Sequence, residues 1–584
     1  MLRYNIAFAI HRKTMKRIRD NLHLIIAAVT IAASYAYACY YFNYFATPTG
    51  DYISNIREPV IEYMKGNFPG SNYKFLPLYP GLLAIIGSLG LQAHSDPVYI
   101  TAILFNIILY LPYLIIVLYI YRRFLDNRAS LAALAFLGIN VYSVYMATNA
   151  ELEMLLTFLI ILSLFLTMRD SRIAYVPAFL TCLTKWDSVF IVPSVMFRDF
   201  FIHRKRVPAL VFGALASTGV MVWLLLSFIN TPGHTHPYVS EIAHRGPNIY
   251  RFPADVLFVT SGFSQWMAMH GWFFASLWMK FALVGTAVFA AIITLIGMVW
   301  GGILFAKNNL RESAPIFIFF TGFIILHMIY QNSKDRYVMP ILWICNMLLV
   351  RGMIEGVIPW LKKRADALSS RLRAIITIII LCLAAAGYAV TAIACAGSLT
   401  IIHIAFAAIT TALFAWIYLF EETARLSLVP AATAILLCGI LVNCSILYGV
   451  KALDHHGKSR LEFKEVGLWY RDHASPDDRM LISETNVPKY YSGFSDDKFI
   501  ISYFIRGSSL EEVINELRDL RATYVFVDDF YIPRLRYRDP NAIDRKAWIF
   551  REIKDRGEQT GHFKMVRTFP AGSGGKGILY RFIP

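Results

Sequence analysis

The sequence predicts a polytopic α-helical membrane protein with a small α/β domain at its C-terminal end. Three observations carry this. Of the 584 residues, 57% are apolar and 16% charged, and the mean hydropathy is +0.51, a composition outside that of water-soluble domains of this size. Apolar runs of roughly 18–25 residues, each long enough to cross a hydrocarbon core of about 30 Å, recur from Leu22 to about Val450 and number roughly thirteen. From Lys451 to Pro584 the composition turns mixed and charged, which divides the chain into a membrane domain, 1–450, and a soluble domain, 451–584.

Basic residues set the orientation, because they gather beside alternate ends of the runs as the positive-inside rule requires. Arg12, Lys13, Lys16, Arg17 and Arg19 precede the first run. Arg122 with Arg123, Arg169 with Arg172, and His203 to Arg206 follow the second, fourth and sixth; Lys307, Lys362 to Arg364 and Arg425 continue the series. These ends are expected on the cytoplasmic side, with the N-terminus. By parity the loops holding Asp51, Glu151, Lys185, His234 and Arg336 are expected outside, together with everything after Val450. The net charge of +17 therefore reports orientation in the plasma membrane and contact with lipid headgroups, not nucleic acid. Ala36-Tyr37-Ala38 has the form of a cleavage site, but the apolar stretch around it is too long for a signal peptide, and an uncleaved first span is expected.

All seven cysteines lie in apolar segments and read as small buried hydrophobes, with neither a disulfide framework nor a zinc site indicated. In the soluble domain, Leu461 to His473, Ser509 to Leu520 and Ala542 to Lys554 read as helices, the second capped by Ser508 or Ser509. Arg479 to Ser483, Ala522 to Val527, Phe563 to Thr568 and Gly577 to Phe582 read as strands, giving a small α/β layer. Asp528 and Asp529, at a strand end, offer either a ligand site or, as the better reading, solvated acids.

The first outer loop carries the strongest chemical signal. Asp51, in Thr47-Pro48-Thr49-Gly50-Asp51-Tyr52, is an ionisable residue held at the mouth of a membrane bundle, where a carboxylate can serve as a base. An amphipathic stretch from Ile53 to Met64 follows, then Asn72-Tyr73-Lys74-Phe75-Leu76-Pro77-Leu78-Tyr79-Pro80, then an apolar run from Gly81 to Leu89. That run is too short to cross and is expected to lie at the interface, keeping the carboxylate near lipid phosphates.

Four other outer positions bear polar groups. Glu151 and Glu153 stand where the chain re-enters the membrane; one acid there suits a helix N-terminus, and two exceed that need. Lys185, in Leu183-Thr184-Lys185-Trp186-Asp187, reads either as a point charge for a phosphate or as half of a neutralising pair with Asp187. Arg336, before Tyr337 and Pro340, offers a two-pronged fork to phosphate oxygens or else snorkels to the interface. His234-Thr235-His236, with His244 and His270, sits in a long aromatic loop; no carboxylate or thiolate cluster completes a divalent metal site there, and gripping an acceptor is the better reading.

In this order and on one side of the membrane, these motifs resemble the GT-C superfamily of membrane glycosyltransferases, in the branch with protein O-mannosyltransferases and lipid A aminoarabinose transferases. The resemblance covers nearly the whole chain: the acidic first loop at Asp51, Pro77 to Pro80, Glu151, Leu183 to Lys185, Arg336-Tyr337-Val338-Met339-Pro340, and an external tail. The mannosyltransferase branch commonly has an Asp-Glu pair in the first loop, where this chain has Asp51-Tyr52. The resemblance implies an inverting transferase with its catalytic loop at 46–96, moving mannose or a similar sugar from a polyprenyl-phosphate donor to an extracytoplasmic glycan, lipid or protein. Asp51 would be the base, with Glu151 orienting it or the acceptor. Lys185, Arg336 and Tyr337 would hold the donor phosphate, and Tyr52, Lys74, Tyr79, Glu153 and His236 would position the substrates. No further cofactor is implied.

Readings of other classes differ in what they require. A flippase or transporter of lipid-linked sugars should carry charge near the bilayer midplane and internal repeats, and neither is clear in the sequence. A receptor sensing a ligand through its tail would leave Asp51 and Arg336 dispensable. An oligosaccharyltransferase should carry more metal-binding acids and a larger tail.

Overall fold

The computed structural model describes residues 22–42, 47–67, 76–88, 96–230, 249–262, 277–329, 335–367, 369, 371–372, 375, 460–502, 505–528, 540–570 and 576–584. The chain divides into two compact units. One contains Met1–Phe42 and Pro59–Leu453, the other Asn43–Glu58 and Asp454–Pro584. The second boundary falls close to the composition change at Lys451. The segment Asn43–Glu58, expected with the membrane domain, instead groups with the C-terminal residues.

Among the described residues of the first unit, six helices are long and apolar enough to cross a membrane: Leu22–Tyr40, Val98–Phe124, Arg206–Trp223, Ala290–Asn308, Leu310–Ile329 and Arg336–Trp360. The runs expected between 376 and 450 lie outside the described residues. A seventh span is formed if Asn127–Ile139 and Val141–Thr148 are taken together across their 58° bend. Asn140 explains the bend. Its backbone is extended (φ −64°, ψ 123°), its Oδ1 accepts from the Tyr142 N–H at 3.0 Å, and its Nδ2 donates to the Val259 carbonyl at 2.9 Å, so one side chain caps the new helix and pins the break. The helix Pro97–Phe124 starts on an Asp96 cap with proline in its first turn and ends on Arg122 and Arg123, which suits the macrodipole.

Shorter helices fill the region around the polar outer positions: Leu78–Ser88, Glu153–Met168, Tyr175–Cys182 and Ile191–Phe197. Of the seven cysteines, Cys182 and Cys345 are buried as expected, whereas Cys39 is exposed.

Backbone-to-backbone packing joins Leu277–Asn308 to the helix that begins at Met339. A Cβ at Gly352 would overlap the Gly297 carbonyl oxygen, and one at Gly301 would overlap the Leu348 carbonyl. Only glycine permits this approach, which is how membrane helices gain contact where the hydrophobic effect gives no net drive. Gly352→Leu is expected to lower the stability of the first unit by about 1–3 kcal/mol or more, read as a drop in the thermal midpoint of the detergent-solubilised protein; an unchanged midpoint would mean that the contact is not maintained.

The second unit contains a five-stranded mixed sheet in the order β2-β1-β3-β5-β4, with β1 Met480–Ile482, β2 Phe499–Ile501, β3 Tyr524–Asp528, β4 Phe563–Pro570 and β5 Lys576–Phe582. β1 pairs in parallel with β2 and β3, Leu481 opposite Ile500 and Val525. β5 runs antiparallel to β3 and β4. Helices Leu461–His473, Asn486–Ser492, Leu510–Asp519 and Pro540–Arg556 complete the unit. Ser509, not Ser508, caps the third, accepting from the Glu512 N–H at 3.2 Å. Leu481, Val513, Leu517, Val525, Phe550 and Ile553 form the core. One expectation is corrected: Asp528 is fully buried and accepts a hydrogen bond from the Ser483 hydroxyl, because its strand is central and the adjoining parallel strand ends beside it. Asp529 lies outside the described residues.

Candidate active site

Residues scattered from 79 to 337 in the sequence meet in one buried polar cluster of the first unit. Its foundation is Asn106, fully buried on the helix Pro97–Phe124. Its Nδ2 reaches the Asn149 carbonyl at 2.6 Å, the Glu151 carbonyl at 2.8 Å and the Tyr79 hydroxyl at 3.2 Å. Residues 149–152 form an irregular turn between two helices, where the Asn149 and Glu151 carbonyls need partners from elsewhere in the fold. Asn106 supplies them and thereby fixes Glu151.

Glu151 and Glu153 are 6% and 5% exposed. Glu153 opens its helix, the role foreseen for one acid of the pair. Opposite them, a 3-10 turn Asp335–Val338 delivers Arg336 and Tyr337. Arg336 Nη1 lies 2.8 Å from Glu151 Oε2, and its Nε lies 3.7 Å from Glu153 Oε1. The guanidinium is held inside by acids; it does not snorkel.

Lys185 enters from the turn between Tyr175–Cys182 and Ile191–Phe197. That turn is tied to the short apolar helix by the Leu78 N–H, which donates to the Leu183 carbonyl at 3.2 Å. Lys185 Nζ is 3.0 Å from Asp187 Oδ2, 3.9 Å from Glu153 Oε1 and 4.2 Å from the centre of the Tyr337 ring. Burial works against the ammonium, but the carboxylates of Asp187 and Glu153 outweigh it and hold the lysine above its usual pKa. Burial likewise opposes the Asp187 carboxylate, and Lys185 with His327 outweighs it, leaving that group below its usual value. Both stay charged at neutral pH.

His327 completes the cluster, and no sequence signal singled it out. It lies near the end of the helix Leu310–Ile329, 2% exposed, stacked against Phe252 at 4.7 Å. Nδ1 is 2.9 Å from the Phe323 carbonyl and Nε2 is 3.3 Å from Asp187 Oδ2. Both ring nitrogens thus lie beside oxygen atoms. Arg336 and Lys185, with the His327 ring beside them, thus meet the acids Glu151, Glu153 and Asp187. A lone histidine within an apolar run has no periodic or motif context, so only the fold reveals its partner.

Asp51 and Tyr52 belong to the second unit. Thr49 caps their turn, its hydroxyl accepting from the Tyr52 N–H at 3.1 Å, and Asp51 Oδ1 accepts from Asn55 Nδ2 at 3.2 Å. Tyr52 and Tyr79 are fully buried; Tyr79 acts through Asn106. Lys74 and His236 lie outside the described residues.

The cations split their contacts unevenly. The pairs Arg336–Glu151 and Lys185–Asp187 are close, whereas Glu153 stands at longer range from both cations. Among the described residues no three His, Cys, Asp or Glu side chains converge as a metal-holding group. What converges is a guanidinium fork and an ammonium beside an aromatic ring, donors that suit a phosphate.

No protein-family model matches the chain, and no curated protein sequence matches it. Among solved structures, ArnT from Cupriavidus metallidurans bound to undecaprenyl phosphate is similar at 12% identity, over 95% of this chain and 97% of that one, with a TM-score of 0.50. The archaeal oligosaccharyltransferase AglB from Archaeoglobus fulgidus, in complex with an inhibitory peptide and a dolichol-phosphate, is similar at 10% identity over 96% and 74%, with a TM-score of 0.49. The likeness to ArnT is one of fold.

Proposed function

We propose that this GT-C-fold chain is an inverting glycosyltransferase of the plasma membrane that moves a sugar from a polyprenyl-phosphate donor to an acceptor outside the cytoplasm. The observation that carries the reading is the buried pair of cations sharing one loosely held acid. ArnT, which has the same fold, is described bound to undecaprenyl phosphate, and this cluster has the donors such a headgroup needs.

Asp51 takes the proton of an acceptor hydroxyl or amine as its oxygen or nitrogen attacks the anomeric carbon. The bond from that carbon to the phosphate oxygen breaks, and its electrons leave on the lipid phosphate. Arg336 and Lys185 stabilise that growing charge. Attack and departure on opposite faces invert the anomeric centre. Tyr337 backs the ammonium, and Glu151 and Asp187 keep the two cations extended in place.

Glu153 competes with the phosphate for both cations. Glu153→Gln removes that competition, and the Kd for a polyprenyl phosphate is expected to fall by about tenfold, measured with the purified protein in nanodiscs. A weaker Kd would make Glu153 a supporting group and not a competitor.

The reading is tested with labelled sugars on polyprenyl phosphate and on polyprenyl pyrophosphate. Transfer from the monophosphate donor with inversion supports it. Transfer of a whole glycan from the pyrophosphate donor would make the chain an oligosaccharyltransferase, and movement of intact donor across a vesicle membrane without transfer would make it a flippase.

A further inference from the structure

The segment that carries Asp51 is short and irregular: a single α-turn Gly50–Tyr52, a π-helical stretch Ile53–Arg57, then the helix Glu58–Met64. Wide π-helical turns concentrate at functional sites, and so small a piece of helix has little stability of its own. Its order must come from what it touches.

Within the second unit it rests on a built pad. A Cβ at Gly50 would stand 3.1 Å from Asn486 Nδ2, 3.3 Å from Arg460 Nη1 and 3.7 Å from Glu484 Oε1, so the backbone next to Asp51 lies directly on these three side chains. The pad is internally bonded. Arg460 Nη1 is 3.6 Å from Glu484 Oε2, and Glu484 Oε1 accepts from the Asn486 N–H at 3.1 Å. Glu484 is 9% exposed. Two turns further along, the Arg57 guanidinium covers the Tyr490 ring at 5.2 Å, and Glu58 Oε1 is 3.7 Å from Lys489 Nζ.

The pad is in turn anchored in the sheet. Glu484 and Asn486 follow β1, at the carboxyl end of a parallel strand pair, where α/β sheets present their working residues. The helix Asn486–Ser492 packs closely on Leu461–His473, where a Cβ at Gly467 would lie 2.9 Å from Pro488 Cα, and Arg460 begins that helix in the left-handed region (φ 65°). Sheet, helices, pad and the Asp51 turn thus form one continuous packed path.

We propose that the C-terminal domain is the positioning domain of Asp51, with Arg460, Glu484 and Asn486 seating its turn and Lys489 and Tyr490 clamping the helical stretch behind it. This rests on Asp51 being the base. A displacement of about 1 Å at a reacting group costs as much as 10²-fold in rate, so a base on a marginal helix needs such a seat.

The test uses the full-length protein carrying Lys489→Ala with Tyr490→Ala, two partly exposed positions whose loss leaves the core of the domain intact. Hydrogen exchange over residues 52–58 is expected to speed up by about tenfold or more, with the strand Tyr524–Asp528 still protected. The kcat is expected to fall at least about tenfold with the donor KM unchanged. In a second variant, Lys489→Arg with Tyr490→Phe, which keeps the charge and the ring, wild-type exchange and kcat are expected. Unchanged exchange over 52–58, or faster exchange with wild-type kcat, would overturn the proposal. Full transfer by Asp51→Asn would instead overturn the base reading, and the exchange measurement would still report whether the domain holds the segment.

Discussion

Arg336→Ala is expected to lower turnover by about 10²–10³-fold, the loss seen when one preorganised donor to a developing anion is removed. It is also expected to destabilise the first unit by about 3–5 kcal/mol, because it leaves Glu151 buried without its cation and Glu153 with Lys185 alone. The two effects separate with a second change. Arg336→Ala with Glu151→Gln removes a charge from each side of the 2.8 Å pair and should recover most of the thermal midpoint while turnover stays low. Arg336→Lys keeps a charge and loses the fork, and should fall between wild type and alanine. Steady-state transfer and thermal unfolding in detergent read both quantities. Full turnover in the double variant would reduce Arg336 to a partner that neutralises two acids.

Asp51→Asn is expected to lower kcat by about 10²–10⁴-fold, the range of a positioned general base. Stability should change by less than about 0.5 kcal/mol, as for a surface substitution, since Asp51 is part-exposed and an asparagine Oδ1 can still accept the bond from Asn55. The donor KM should hold, because the donor phosphate is assigned to cations of the other unit. A rate loss with a collapsed thermal midpoint would point to a structural role for the carboxylate and would be met by testing Asn55→Ala, which removes the same bond and leaves the base.

Much of this was legible in the sequence, for physical reasons that differ by region. The elements of the soluble domain follow local signals: the helix Leu461–His473 has the expected bounds, and the closing strand pair appears at Phe563–Pro570 and Lys576–Phe582. The short β2 and the helix Asn486–Ser492 were not foreseen, because three apolar residues and a seven-residue turn of mixed polarity carry too little periodicity. In the membrane unit, Glu151, Glu153, Lys185 and Arg336 could be singled out because charge is rare and costly there. Their pairing could not, since ion pairs between residues 151 and 336 depend on tertiary packing. Asn106 and His327 escaped for a related reason. A single amide or imidazole within an apolar run resembles any other tolerated polar residue until the helix beside it brings a carbonyl or a carboxylate. The solvated reading of Asp528 failed because strand order, which buries it, is not a local property.

Asp51, Lys185 and Arg336 are proposed to serve one reaction. Single-turnover transfer of labelled sugar from a polyprenyl-phosphate donor, followed in wild type, Asp51→Asn, Arg336→Lys and the Asp51→Asn, Arg336→Lys double variant, tests it most directly. Transfer with inversion is expected in wild type, slowed in each single variant, with a double-variant loss smaller than the product of the two, as for groups acting in one transition state. Wild-type rates in Asp51→Asn, or no transfer from any polyprenyl-phosphate sugar by folded wild-type protein, would contradict it.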